Sequence, residues 1–379
     1  MLDFDSQKNI YKDIYEVIKN NKNLLDKLRK DISELKNNVQ RIQPRSATSI
    51  ALVGTDGGNN KFKFDPFLIQ VIRIVDSSNN ELFLNVVSSE MNINDLNKLH
   101  LDKNGNPKDA VGELMKDLGL SHISELSHML KTDSEGKATN SGWINDYRNI
   151  IEWAILYKIL TKMNYDTDTL IMFDGLFRTK VFWPKVFKSI IEKIKLAIKK
   201  HKKQKRNLYV VGIAKHSQIL VRYRLVMLLE NILNTSYPAY VEVPPNIEEK
   251  VYKYDEWITP SDDKVSQGEF SEYSAGRMFL TKFGPKPYDP IWAVDVFVFQ
   301  KNEIQKIMGF LLADAINGFP VPYYPLALQE AHNNAALVDF DYNILQTYIY
   351  KAVRNILEED GNLLDIYNLI DTDPSSERY

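Results

Sequence analysis

Two short segments of this chain carry a run of β-forming residues into an acid followed by glycine. Ser49–Val53 leads into Gly54-Thr55-Asp56-Gly57-Gly58, and Thr169–Phe173 leads into Asp174-Gly175-Leu176. A carboxylate at the C-terminal end of a buried strand is held rigidly and still reaches solvent. Two of them converging from neighbouring strands can grip a divalent cation, because hard cations select oxygen ligands and carboxylates supply charge as well as geometry. The chemistry served by such a pair is phosphodiester hydrolysis. That reaction needs a more acidic water and a leaving oxygen whose growing charge is neutralised, and paired cations supply both. Taken singly, each motif also reads as an ordinary Asp-Gly turn.

Other residues could join that chemistry. Glu152 lies in Asn149-Ile150-Ile151-Glu152-Trp153-Ala154, on a predicted helix that must pack on the sheet. A carboxylate among apolar neighbours is costly to bury unless a cation or donor meets it; the plain alternative is a pair with Arg148 one turn earlier. Lys215 follows a predicted strand, so its ammonium would share the sheet edge with the acids. It could there neutralise a scissile phosphate or orient the attacking water, although a solvated loop lysine is the commoner case. His332 falls mid-helix, where a lone histidine is more often packed or exposed than a ligand. Asp314 and Tyr324 precede it as weaker candidates. Asp295 interrupts the apolar strand Trp292–Phe297, or faces solvent on an alternating edge.

For phosphate contact, Lys195, Lys199, Lys200, Lys202, Lys203 and Lys205 cluster near one helix end. Such a patch gives affinity without sequence specificity, or simply complements a helix C-terminus. Arg178 and Lys180, just past Asp174, and Arg222 and Arg224, on the helix after Lys215, are the preferred DNA contacts.

These residues need elements to hold them. Residues 1–45 read as a separate helical segment: Leu25, Leu28, Ile32, Leu35, Val39 and Ile42 recur in steps of three and four, as in a coiled coil or helical hairpin, and Pro44 stops the pattern. The segment could dimerise or pack on its own domain. From about 49 the texture turns to strands over 50–55, 67–75 and 82–88, with turns at Asp56-Gly57-Gly58 and 76–80, an antiparallel meander in outline. Residues 91–142 read as a helical insertion. Helices over 144–163, 184–200 and 217–233 alternate with strands ending at Asp174 and covering 207–214. The stretch 236–290 resists assignment; a late strand over 292–300 and helices over 303–316 and 325–338 follow. The order suits an α/β domain with a mixed sheet flanked by helices, spanning 46–345 and followed by a helical tail over 346–379.

Composition bounds the function. With 44% hydrophobic and 26% charged residues, 379 residues fold and bury a large core rather than remaining disordered. The chain has no cysteine, which excludes disulfides, Cys-ligated zinc and thiol nucleophiles. A formal net charge of −2 does not advertise a nucleic-acid binder, so any such role rests on local patches. No apolar run approaches the roughly 18–20 residues that cross a bilayer, and no secretory segment opens the chain; a cytoplasmic protein without membrane contact is expected. Gly136-Lys137-Ala138-Thr139 is not a P-loop, since Lys131 stands at the first glycine and Ala138 at the Ser/Thr. Neither a Gly-x-Ser-x-Gly elbow nor a His-Glu-x-x-His helix occurs.

Three antiparallel strands, then helix, strand, helix and strand, is the ribonuclease H-like plan. Within it, Thr55-Asp56-Gly57-Gly58, Asp174-Gly175-Leu176, Val211-Gly212-Ile213-Ala214-Lys215 and the run from Tyr324-Pro325-Leu326 to Ala331-His332-Asn333-Asn334-Ala335 resemble the NurA nucleases. The resemblance spans roughly 49–340. It implies a Mn²⁺- or Mg²⁺-dependent DNA nuclease that acts with a hexameric HerA-type ATPase and forms homodimers. It also implies metal ligation by Asp56, Glu152, Asp174 and His332, with Lys215 completing the catalytic set. DNA end processing and anti-phage defence are both compatible with it. The rival reading is a ribonuclease H-like adaptor or DNA-binding subunit of an ATPase complex that has lost catalysis.

Overall fold

The computed structural model describes residues 4–46, 50–64, 67–252, 271–337 and 339–357, without the side chains of 4–6, 50–64, 67, 68, 339, 340 and 342. It opens with α1 (Phe4–Asn20), α2 (Lys22–Ile32), a 3-10 turn over Ser33–Asn38 and the two-residue strand β1 (Gln40–Arg41). The helical seam expected to run to Ile42 therefore stops at Ile32. Gln40 and Arg41 pair instead with Tyr240 and Ala239 at the sheet edge, and Ile42 is buried beyond them. Ile32 and Leu35 are buried among Ile219, Tyr223, Val226 and Met227, so α2 packs on its own domain.

The meander is β2 (Ile50–Phe64), β3 (Phe67–Asp76) and β4 (Glu81–Ser88). The expected turn at Asp56-Gly57-Gly58 is not one: β2 continues through it, Gly57 pairing with Ile74 and Gly58 with Arg73. The second expected turn is present. The Asp76 carboxylate accepts the Ser78 and Asn80 amides, and Asn79 takes a positive φ of 61°.

The insertion contributes α3 (Ile93–His100) and α4 (Ala110–Leu118), followed by α5 (Trp143–Lys162), β5 (Asp168–Asp174), α6 (Pro184–Lys203), β6 (Leu208–Ala214) and α7 (Gln218–Leu229). β5 runs parallel to β2, and β6 parallel to β5. Both are nearly continuous apolar runs because both their faces are covered. The stretch that resisted assignment supplies β7 (Ala239–Glu242), α8 (Pro245–Glu248) and β8 (Gly276–Lys282). β9 (Ile291–Phe297), α9 (Ile304–Ala315), α10 (Leu326–Ala335) and α11 (Asp339–Leu357) follow among the described residues. α11 crosses the boundary expected at 345, and the part of the expected tail past 357 lies outside the described residues.

The strands form one sheet in the order β1-β7-β8-β9-β6-β5-β2-β3-β4. The block β6-β5-β2-β3-β4, with two parallel crossovers and an antiparallel meander, is the ribonuclease H-like arrangement; β9, β8, β7 and β1 extend it beyond β6. One face of β5 and β6 (Ile171, Phe173, Val210) packs on α5 and α6, and Leu96, Val111, Leu114 and Met115 of the insertion join that core. The other face (Leu170, Met172, Val211, Ile213) packs on α9 and α10. α10 lies across β2 and β3. Among the described residues, no helix is long and apolar enough to cross a membrane.

Candidate active site

The site is built where β5 stops. Gly175 has φ +149°, a region that side chains disfavour, and its amide donates to the Ile213 carbonyl at 2.9 Å. A Cβ at Gly212 would lie 2.4 Å from the Gly175 oxygen. The two glycines thus let the turn after Asp174 press against β6. Strand alternation places Asp174 on the face shared with Leu170 and Met172. There the Tyr324 hydroxyl donates to Asp174 Oδ1 at 3.1 Å, and Lys215 Nζ stands 3.6 Å from Oδ2. The same ammonium lies 5.0 Å from the Tyr324 ring centre, within cation–π range. Tyr324 is buried edge-on against Trp292, 4.9 Å between ring centres. Weakly ranked from sequence, Tyr324 is a direct partner of the first-choice acid. Its signal was the following Pro325, which holds the preceding backbone out of the helix that begins at Leu326.

Asp56 is placed by its backbone. The parallel register pairs Thr55 with Phe173, so positions 56 and 174 are next in step on adjacent strands, which run about 4.8 Å apart. Past Thr55, β2 continues against β3 alone, Asp56 opposite Val75. The Asp56 side chain lies outside the described residues.

The remaining expected ligands are less tightly gathered. Glu152 sits on α5, in the layer that covers the opposite face of β5 from Tyr324 and α10, and α5 also touches β2. Its carboxylate is 3.3 Å from Arg148 Nε, the pairing expected from their spacing. His332 is exposed on α10, whose buried side carries Leu328, Ala331 and Ala335. Among the described residues, no three His, Cys, Asp or Glu side chains cluster as a metal site. Asp314 lies elsewhere: it is buried and accepts the Ala327 amide at 3.2 Å, capping the start of α10. Burial, with Glu330 adding, pushes its carboxyl up to about 6.

The expected DNA contacts separate into three groups. Arg178 is buried and ion-paired. Its guanidinium donates to both oxygens of Asp295 and both of Glu248 at 3.0–3.1 Å, so it is committed to the chain's own acids rather than presented to a phosphate. Asp295 itself is buried on an interior strand, so the solvent-facing alternative does not hold. Lys180 is half-buried, and the Arg222 guanidinium lies 5.6 Å from the Tyr223 ring centre. Arg224 is exposed and lines a groove of about 1250 Å³ that opens at Lys215 and His216 and runs along Val221 and Leu225. The lysine cluster of α6 precedes β6 whereas Lys215 follows it, which puts about 20 Å of strand between them. Part of that cluster pairs with the chain's own acids, Lys202 with Glu303 and Lys195 with Glu192.

The fold and this sheet edge define a ribonuclease H-like α/β protein. Among solved structures the chain is similar to NurA nucleases. To one from Sulfolobus solfataricus it has 14% identity over 93% of this chain and 98% of that one, with a TM-score of 0.38. A second NurA gives 11%, 94%, 99% and 0.46, and NurA bound to dAMP and manganese gives 10%, 88%, 94% and 0.43. No family model matches the chain, and no curated protein does.

Proposed function

We propose that this protein is a metal-dependent deoxyribonuclease whose centre is the acid pair Asp56 and Asp174. The observation that carries the reading is the strand register, which sets the two positions side by side at the edge of a buried parallel pair. Asp174 divides its oxygens between Tyr324 and Lys215. The donor set, carboxylates without sulfur, suits Mn²⁺ or Mg²⁺. Asp56 and Asp174 would hold the ion, with Glu152 and His332 as the further ligands the motif resemblance implies. When bound, the cation supplies a more acidic water and neutralises charge on the leaving oxygen.

The chain's own residues then have distinct tasks. Tyr324 holds one Asp174 oxygen and so orients the carboxylate. Lys215 is anchored by Asp174 and the Tyr324 ring, and there balances charge on the phosphate being cleaved. The groove beyond it takes the DNA strand, Arg224 meeting phosphates along its rim. Without a P-loop of its own, the chain would act beside a HerA-type translocating ATPase, as a homodimer, in DNA end processing or defence against invading DNA.

Cleavage of labelled linear and circular DNA with Mn²⁺, Mg²⁺ or EDTA, comparing wild type with Asp56→Ala and Asp174→Asn, tests this. Metal-dependent cleavage lost in both variants is expected. Equal activity in all three proteins contradicts the site. A wild type that stays inert even with its ATPase favours the adaptor reading.

A further inference from the structure

Arg178, expected to contact DNA, is instead the centre of a buried ion cluster four residues beyond Asp174. Its Nε and one terminal nitrogen meet Asp295 at 3.0 and 3.1 Å, and its two terminal nitrogens meet Glu248 at 3.1 and 3.0 Å. One of them also approaches the Gly276 carbonyl at 3.4 Å. The three side chains are at most 2% exposed, and the Tyr252 ring lies 5.5 Å from the guanidinium carbon. Asp295 Oδ2 additionally accepts the Phe177 amide at 3.0 Å. Around them, the Ala275 amide donates to the Phe177 carbonyl and the Thr179 amide to the Tyr273 carbonyl, both at 2.9 Å. The segment leaving Asp174 is thereby tied to β9, to α8 and to the entry of β8.

A buried ion cluster is a poor stabiliser. Desolvating the charges offsets most of their attraction, and apolar replacements of similar volume are often neutral or stabilising. What it can give is one geometry. The turn after Asp174 is short, its glycine takes a strained φ, and the carboxylate must point between Tyr324 and Lys215. A one-ångström drift of this turn would release it from both.

We propose that Arg178, Asp295 and Glu248 are positioning residues that hold the β5 exit so that Asp174 presents its carboxylate to a divalent cation. This inference rests on the metal-site reading given above. The three act through the turn, and none is assigned to the ion or the phosphate.

The test uses full-length protein, with Mn²⁺ binding followed by electron paramagnetic resonance and the fold by circular dichroism and thermal melting. The triple variant Arg178→Met, Glu248→Leu, Asp295→Asn removes all three charges and keeps an acceptor for the Phe177 amide. It is expected to fold with a melting temperature near that of wild type and to bind Mn²⁺ about 10–100-fold more weakly, the scale on which supporting residues tune metal affinity. Cleavage is expected to recover largely at saturating Mn²⁺. Asp295→Asn alone is the second variant, with a smaller shift in the same direction. A folded variant that binds Mn²⁺ as wild type does overturns the positioning role, and so does failure of both variants to fold, since the cluster then serves the fold itself. A wild type that binds no Mn²⁺ overturns the reading of the site instead.

Discussion

The Asp174 carboxylate, shared between a buried tyrosine hydroxyl and a lysine, is the most informative group in the molecule. If Tyr324 orients it, Tyr324→Phe keeps the packing on Trp292 and loses one donor; Mn²⁺ affinity is expected to fall about 10–100-fold with little change in melting temperature, read by metal titration and calorimetry. Asp314 makes a different test. Its folded pKa of about 6 lies above that of an unfolded aspartate. The folded state therefore holds the extra proton, and stability falls as pH rises from about 4 to about 6. Asp314→Asn, which can still accept the Ala327 amide, is expected to be more stable than wild type at pH 7–8 by on the order of 2 kcal/mol, measured by denaturant unfolding. The gap should close below about pH 4; a gap independent of pH would contradict the assignment. The placement of Asp174 and Lys215 at strand ends was legible because each directly follows a run of β-formers. Arg178 was misread because sequence proximity to an acid says nothing about which way a side chain turns. Only the fold brings Asp295 and Glu248, 117 and 70 positions away, to its guanidinium.

At the scale of elements, the β5 exit is the critical turn. Gly175→Ala must place a side chain at φ +149°, 3.0 Å from the Phe173 ring. It is expected to destabilise by about 1–3 kcal/mol, measured by denaturant unfolding, and to lose metal affinity together with stability. An alanine tolerated there without loss of either would contradict the role given to the turn. The long elements were legible: α5, α6, β5 and β6 have strong periodicity or continuous apolar runs, and their ends moved by only a few residues. β1, β7 and β8 were missed for physical reasons. β1 is two residues long and β7 four, so neither offers a period to detect, and β1 exists only because β7 offers it an edge. The Asp56-Gly57-Gly58 reading failed as a turn because pairing with β3 outweighs the local preference of Asp-Gly for turning.

Over the whole molecule, a ribonuclease H-like block carries the sheet edge, and additions on both flanks brace it. The N-terminal helices divide sharply. Ile32 is buried against α7, while Ile14 on α1 is half exposed. Ile32→Ala is expected to cost about 2–5 kcal/mol, whereas Ile14→Ala should stay within about 0.5 kcal/mol; comparable losses would contradict the packing of α2. The order of strands and helices was readable because each long element reports its own period. The extension past β6 and the docking of α2 were not, since both depend on partners far away in sequence. A cation held between β2 and β5 is the proposal most directly open to measurement. Crystals of the protein soaked in MnCl₂ and measured at the manganese edge should show an anomalous peak bound by both Asp56 and Asp174, absent in Asp174→Asn crystals. No peak at that edge of the sheet, or one unaffected by the substitution, would contradict it.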